Sequence, residues 1–528
     1  MLDPRDRQTV WDVLDERVAR LGDKTWLVTE TGRYSFVQMQ QRGLALAHGF
    51  TAEGVKPGET VLLMLPDGID ILTCWLALAR IGALEVPVNT QLRGNTLRHV
   101  LTNALAKVLV IDRRFLPHIA PLLAEVPGIE TIVLTGEGPA EATGRREIEL
   151  SQLLASPPSN LPPRPRAHDL LAVMYTSGTT GPSKGVMVAH TQAYEYALSV
   201  VELCEMREDD VYYNPLPLFH IAGQWAAIYC SLIRGCTVVV PGAFTLTGFW
   251  DDVRRHGATC TFLLGAMASW LWRQPERPED VTTPMQRMLI VPLLPEVEAF
   301  KKRFDVLVST TWGSTEINVP MRSTFTLANN KTCGRVASDR YEVRIVDQDD
   351  REVPPGVPGE AVVRTSVPWM LMAGYWQNPE ATAYAWRNQW VHSGDIMMRD
   401  AEGNFTFVDR VKDAIRRRGE NISSMEVEAE VLAHPAILEC AVVPVASGDT
   451  EQEVMAVVSL KPGHAMTPEE LIRFLDGRMA RFMIPRYVDI IEAMPKTPTG
   501  KIQKYVLRER GLTPTTWDRE TAGIKLKR

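Results

Sequence analysis

Residues 61–65 form an unbroken apolar run, residues 69–81 repeat apolar positions at helical spacing, and residues 86–88 open a further aliphatic run. A short run, a longer apolar helix and another short run predict a strand–helix–strand unit. The rhythm returns at residues 108–111, 131–134, 237–240 and 261–264. Strands interleaved with helices imply α/β layers built on largely parallel sheets. Five prolines between residues 157 and 165 read as a linker between subdomains. From Val343 the pattern shifts to short strands with Pro/Gly turns, predicting a small β-rich subdomain over about residues 340–408. Past Asp409 a different unit of about a hundred residues follows. It has helix patterns at 424–433 and 468–481 and strand patterns at 440–445 and 453–460.

Size and composition narrow the class. At 528 residues the chain exceeds what one hydrophobic core usually supports, so two or more domains are expected. A net charge of −7 argues against a dominant nucleic-acid role, because phosphate neutralisation needs a strongly basic face. The seven cysteines include no Cys-x-x-Cys pair and lie mostly in apolar surroundings. They read as buried free thiols in a reducing compartment. The N-terminus is charged and lacks an apolar leader, and no run approaches 18 uninterrupted apolar residues. A cytoplasmic enzyme is the expectation.

The candidate chemistry is concentrated first in residues 175–185, Tyr-Thr-Ser-Gly-Thr-Thr-Gly-Pro-Ser-Lys-Gly. Glycines let a backbone approach an anion closely, and the hydroxyls and Lys184 converge donors on it. The spacing excludes the common P-loop, which has glycine before the lysine and Ser or Thr after it; here Ser183 precedes Lys184 and Gly185 follows. A glycine-rich connecting turn accounts for the glycines but not for the hydroxyls and the lysine together.

Four further segments follow: residues 215–224, residues 311–316 (Thr-Trp-Gly-Ser-Thr-Glu), residues 392–395 (His-Ser-Gly-Asp) with 409–421, and residues 495–501 (Pro-Lys-Thr-Pro-Thr-Gly-Lys). With the glycine loop they resemble, in order and over nearly the whole chain, the adenylate-forming superfamily of acyl-CoA synthetases, luciferases and peptide-synthetase adenylation domains. The resemblance implies an α/β fold with a large N-terminal domain of layered α/β subdomains plus a β-rich subdomain (1–408). A hinge (409–413) and a small mobile α+β C-terminal domain (414–528) complete it. It implies a ligase that uses ATP and Mg²⁺ to convert a carboxylic acid to acyl-AMP and then transfers the acyl group to coenzyme A. Delivery to the phosphopantetheine of a carrier protein is the alternative, and a homo-oligomer is open.

The resemblance also implies residue roles. Thr176, Ser177, Gly178, Thr179, Thr180, Gly181 and Lys184 would wrap the β- and γ-phosphates. Trp312 would lie against adenine, Gly313 in the ATP site beside it, Thr315 on the α-phosphate and Glu316 on Mg²⁺, for which carboxylate oxygen is a suitable ligand. The family usually carries tyrosine where Trp312 stands, so a ring is kept and a phenolic hydroxyl lost. Asp395 would accept from the ribose hydroxyls, joined by Arg410. Lys501 would contact the substrate carboxylate and α-phosphate during adenylation. Lys412 matches the hinge pivot, Gly419 a narrow pantetheine tunnel, and Arg417 and Arg418 the CoA phosphates, although a solvated basic loop explains the arginines equally well.

The acid itself is less legible. By the same resemblance His220 would sit beside the carboxylate, with Gln224, Trp225, Gly265 and Ala266 farther along the acyl site; a core-packed aromatic cluster is the competing account. The family's usual glycine-rich run is replaced by residues 288–295, Met-Leu-Ile-Val-Pro-Leu-Leu-Pro. That glycine-free pattern resembles the crotonobetaine/carnitine-CoA ligase branch. A quaternary ammonium favours an aromatic cage or a carboxylate, with Trp225, Trp270 and Trp272 as candidates. A short or medium aliphatic acid fits the same residues.

Overall fold

A computed structural model describes residues 9–528 except 139–140, 142, 177–182, 243, 338, 411–412, 414, 418–419, 423, 447–451, 477, 480, 482, 497–499, 525 and 527–528. The aliphatic runs form strands because both faces of their sheet are covered. Thr60–Met64, Leu84–Pro87 and Val108–Asp112 are fully buried and pair in parallel. They sit centrally in an eight-stranded sheet that runs from Gly374–Tyr375 through Lys184–Ala189 and Leu170–Thr176 to Arg146–Glu149. The helix Ile69–Ile81 appears at its expected limits. It is apolar nearly all round and buried nearly all round, and Gly82, at φ 72°, ends it in the left-handed conformation that glycine adopts without steric cost.

A second sheet of seven strands orders Leu307–Ser309, Arg287–Val291, Cys260–Leu264, Val211–Tyr213, Thr237–Val239, Thr25–Thr29 and Gly32–Ser35. Ile69–Ile81, the helix His190–Leu203 and the segment Ile221–Arg234 are all largely buried and share one apolar core with strands of both sheets. The seven cysteines are all buried and free. No helix among the described residues is long and apolar enough to cross a membrane.

Two sequence expectations change. The proline-rich stretch does not link subdomains: it returns the chain from the edge strand Arg146–Glu149 to the central strand Leu170–Thr176 of the same sheet. It is fastened there by Arg80 donating to the Pro162 carbonyl and by an Arg164–Asp15 ion pair. The β-rich layer begins at Thr311 rather than near residue 340, because Thr311–Ser314, Asn318–Arg322 and Thr332–Val336 pair antiparallel and continue into Phe405–Arg410 and Val391–Arg399. Those first strands are short and interrupted by polar motif residues, so alternation alone does not reveal them.

The hydrophobic core divides between Phe405 and Ile415. Beyond the break, Ile437–Ala446, Gln452–Leu460, Tyr487–Ile490 and Trp517–Asp518 form a four-stranded sheet with an apolar cluster on each face. Ser424–Leu432 matches its expected helix, whereas the helix expected to reach 481 is Pro468–Leu475. Its stop coincides with Asp476 leaving helical geometry, one residue before a glycine in the sequence.

Candidate active site

Leu170–Thr176 and Lys184–Ala189 are an antiparallel pair in which Thr176 faces Lys184 and Tyr175 faces Gly185. The strands thus carry Thr176 and Lys184 to the base of the glycine-rich loop; Ser177, Gly178, Thr179, Thr180 and Gly181 lie outside the described residues. Gly185 has no room for a side chain, since a Cβ there would stand 2.6 Å from Val173 and 3.2 Å from Trp376. The Lys184 ammonium lies 4.7 Å from the centre of the Tyr375 ring, and Tyr375 donates its phenol to Glu316 Oε1 at 3.1 Å. Lys184, Tyr375 and Glu316 therefore form a row. Burial first, then the Glu316 charge, holds the phenol protonated well above its ordinary range.

The Trp312 strand approaches its neighbour closely. A Cβ on Gly313 would lie 1.8 Å from the Asn318 carbonyl. Asn318, itself at φ 60°, donates to the carbonyls of Gln192 and Met370 at 3.0 and 2.9 Å, and Gln192 donates to the Thr315 carbonyl at 2.7 Å. The Met372 amide donates to the Glu316 carbonyl at 2.9 Å. Thr315 and Glu316 are thus held by two separate segments, which Asn318 ties together. Gln192 and Asn318 were not among the sequence candidates, though polar residues at buried positions next to a motif are a usable signal.

Asp395 is buried between two partners. Trp312 Nε1 donates to Oδ2 at 2.8 Å, and Arg410, directly across the strand pair, meets Oδ1 at 2.9 Å. The indole N–H supplies a donor where the phenol of a tyrosine is missing. Burial raises the Asp395 carboxyl, Arg410 and Trp312 oppose the rise, and the Glu316 and Glu360 charges add to it.

His220 opens the helix that follows it: its Nδ1 accepts from the Ala222 amide at 3.1 Å. That bond places the proton of the neutral ring on Nε2. The residue is solvent-accessible, yet the protein packed around the ring desolvates it, and this together with the Lys501 charge lowers the imidazole to a pKa of about 4. Lys501 comes from the C-terminal domain, and its own pKa is depressed by desolvation and Arg410 while Asp395 opposes. Lys501 remains solvent-accessible, yet the surrounding protein still strips water from the ammonium. One cation from the small domain thus shares a field with His220, Asp395 and Arg410 of the large one.

The segment bearing His220 is fixed from behind. The Leu218 amide donates to Asp67 at 2.7 Å, and burial raises that carboxyl to about 6. A Cβ on Gly223 would stand 2.2 Å from the Pro217 carbonyl. Gln224 Nε2 donates at 2.9 Å to Glu85, and both residues are fully buried. Trp225 is buried edge-on to Tyr196, with ring centres 5.9 Å apart. Gly265 is packed against the Pro292 carbonyl, where a Cβ would come within 2.4 Å, and Ala266 is exposed. Trp270 is about half exposed and Trp272 stacks under Arg303, so of the three tryptophans only Trp225 is buried in the His220 segment.

The C-terminal candidates divide. Arg417 is buried and paired with Glu453 at 2.8 Å, which places its guanidinium inside the small domain rather than on a surface that CoA phosphates reach. Its charge reads as basic from sequence, but the buried Glu453 partner is visible only in the fold. Lys412, Arg418 and Gly419 lie outside the described residues. On either side of the hinge, Asp409 accepts from the amides of Arg410 and Ser424, and Asp413 pairs with Arg508.

Residues 14–376 match the AMP-binding enzyme model, and residues 426–501 match the AMP-binding enzyme C-terminal domain. The chain belongs to the AMP-binding enzyme family. It is 32% identical over 513 residues to a crotonobetaine/carnitine–CoA ligase of Citrobacter koseri, with 94% of this chain and 98% of that protein covered. The enzyme of the same description from Escherichia coli K12 DH10B is 31% identical over 510 residues, at 93% and 97% coverage. ATP-bound MatB from Rhodopseudomonas palustris superposes at TM-score 0.83 with 26% identity, covering 94% of this chain and 98% of its own. Apo MatB from the same organism superposes at 0.71. A benzoate CoA ligase from Burkholderia xenovorans LB400, 24% identical at TM-score 0.81, shares the fold. Within this family the chain is an AMP-forming acyl-CoA ligase of the adenylate-forming type.

Proposed function

We propose that the chain activates a carboxylic acid as acyl-AMP and passes the acyl group to coenzyme A, and that the acid is of the carnitine or crotonobetaine type. The observation that carries the first part is that Lys501 of the small domain lies within electrostatic reach of His220, Asp395 and Arg410. The substrate type is supported by the relatives named for such acids and by the buried carboxyl beside Gln224.

A carboxylate is resonance-stabilised and resists thiol attack, so it needs a better leaving group. Its oxygen attacks the α-phosphorus, the bond to the bridging oxygen breaks, and pyrophosphate leaves with that electron pair. Lys184 and Lys501 place positive charge where negative charge grows, the largest kind of catalytic term such a site supplies. Asp395 and Arg410 orient the ribose, with Trp312 Nε1 fixing the carboxylate that receives its hydroxyls. His220, neutral with its proton on Nε2, donates toward the substrate carboxylate without pairing a second charge against Lys501. Glu316 offers a hard oxygen, held by Tyr375, which suits Mg²⁺; among the described residues no cluster of three ligating side chains exists, so phosphate oxygens and water would complete its shell. The ion would supply charge stabilisation at the phosphoryl group.

The second half-reaction forms a thioester bond between CoA sulfur and the acyl carbon and breaks the acyl–phosphate bond, releasing AMP; the thiol proton goes to solvent. Pyrophosphate has to leave before pantetheine enters, and a turn of the small domain about Lys412 exchanges the Lys501 loop for the Gly419 loop. The closer match to ATP-bound than to apo MatB supports reading the described arrangement as the adenylating one. A panel of acids assayed for AMP release with and without CoA tests the reading. Release that requires both a carnitine-type acid and CoA supports it; release without CoA favours a carrier-protein acceptor, and no release with any acid sinks it.

A further inference from the structure

Glu85 is the one acidic residue in the strand Leu84–Pro87, at the centre of a sheet whose neighbouring strand positions are Val61 and Ala172. It is fully buried. Among the described residues its side-chain partner is Gln224, bonded to Oε2, while Oε1 has no partner. Gln224 Oε1 and Trp225 Nε1 beside it are also buried without hydrogen bonds. The strand itself needs none of this, since its ladder is backbone and an aliphatic side chain would pack at lower cost.

The position relates the carboxyl to the reaction centre. Gln224 donates its backbone amide to the His220 carbonyl at 2.9 Å, so the Gln224 side chain stands one turn, about 6 Å of helical rise, beyond the imidazole that senses Lys501. That turn belongs to a π-helical stretch, Gln224–Tyr229, a wide and rare geometry that concentrates at functional sites. The surrounding helix contributes aromatic rings: Trp225 meets Tyr196 edge-on, and Tyr229 meets Trp75 edge-on at 5.6 Å. A lone carboxyl, an unsatisfied amide oxygen and nearby aromatic rings are together the chemistry that receives an organic cation.

We propose that Glu85, positioned by Gln224, is the distal specificity residue of the acyl site and binds an ammonium group carried by the acid one helical turn from its reacting carboxylate. The proposal rests on the adenylation reading above. Without substrate, burial raises the Glu85 carboxyl to about 8 and favours its neutral form. A bound cation supplies the missing partner, and the proton is released as the carboxylate pairs with it.

The test uses the full-length enzyme and two acids of the same shape, 4-(trimethylammonio)butanoate and its uncharged carbon isostere 5,5-dimethylhexanoate, each assayed by acid-dependent pyrophosphate exchange into ATP. The wild type is expected to favour the cation by at least tenfold in kcat/KM, and Glu85→Gln to reduce that ratio at least tenfold. A wild type that uses both acids equally or prefers the isostere overturns the proposal, and needs no variant to do so. A Glu85→Gln enzyme in which both acids fall together, leaving the ratio unchanged, also overturns it and assigns Glu85 to packing. Exchange with neither these acids nor any member of a wider panel would instead overturn the adenylation reading on which the proposal stands.

Discussion

At the scale of single residues, the site is set by which polar groups the surrounding protein desolvates. His220 carries the clearest consequence. Its unfolded-state pKa is ordinary, near 6.5, and its folded value is about 4, so the unfolded chain binds the proton more tightly. The stability associated with the neutral ring is fully present above pH 6.5 and is lost as pH falls toward 4, by an amount that solvent screening at this exposed residue reduces. The stability of wild type relative to His220→Asn should fall as the pH is lowered across this window in denaturant titrations. The exchange rate should show no inflection at the usual histidine pKa. An inflection near 6.5 that disappears in His220→Asn would show that the ring is not held neutral. Trp312 makes a second test. Trp312→Phe keeps an aromatic ring and removes the N–H that meets Asp395, a bond to a charged group of the kind worth about 1.5–3 kcal/mol. The KM for ATP is expected to rise tenfold or more with kcat little changed; an unaltered KM would remove Asp395 orientation from the role of the indole. The motif residues themselves were legible because Lys, Glu, Asp and Gly stood in a recognisable order. Glu85 was not, because a single acid in an aliphatic strand has no motif around it, and its isolation becomes visible only when Val61, Ala172 and Gln224 surround it.

At the scale of elements, apolar runs were enough to locate the central strands and the helix Ile69–Ile81, since burial on both faces leaves no competing pattern. The β-rich layer was harder. Thr311–Ser314 and Asn318–Arg322 carry catalytic-type residues on a strand pair, and function there displaces the alternation by which strands are read. The linker assigned to the prolines failed for a related reason: proline marks a chain that is not in a ladder, without saying which elements it joins. Packing of the acyl-site segment yields a sharper prediction. Gly223 lets the turn at His220 fold back on Pro217, and even a methyl group would overlap the Pro217 and Leu216 carbonyls at 2.2 and 2.6 Å. Neither contact is a flexible side-chain end, so the backbone has to move. Gly223→Ala should cost about 1–3 kcal/mol as overpacking does and should reduce pyrophosphate exchange far more than its stability loss explains, because His220 moves with the turn. A variant that is less stable yet exchanges at the wild-type rate would separate this turn from the acyl site.

At the scale of the whole molecule, the separate cores on either side of residues 405–415 make the small domain a body of its own, and the contacts of Asp409 and Asp413 bracket the place where it would turn. The described arrangement puts Lys501 into the field of His220, Asp395 and Arg410, and a lysine there serves phosphoryl transfer but not thiol attack. The two half-reactions should therefore fail separately. Lys501→Ala is expected to lower acid-dependent pyrophosphate exchange by at least a hundredfold, the scale of a lost positioned charge at a developing oxyanion, while thioester formation from supplied acyl-adenylate continues. Gly419→Leu should do the opposite if Gly419 lines the pantetheine passage as the family resemblance implies, because a bulky side chain there blocks only the second step. Measured together, the variants distinguish a rotating domain from a fixed one: in a fixed site both loops act on one arrangement, and each substitution would depress both assays alike. Loss confined to opposite assays requires that the enzyme exchange the Lys501 loop for the Gly419 loop between ATP consumption and thioester formation.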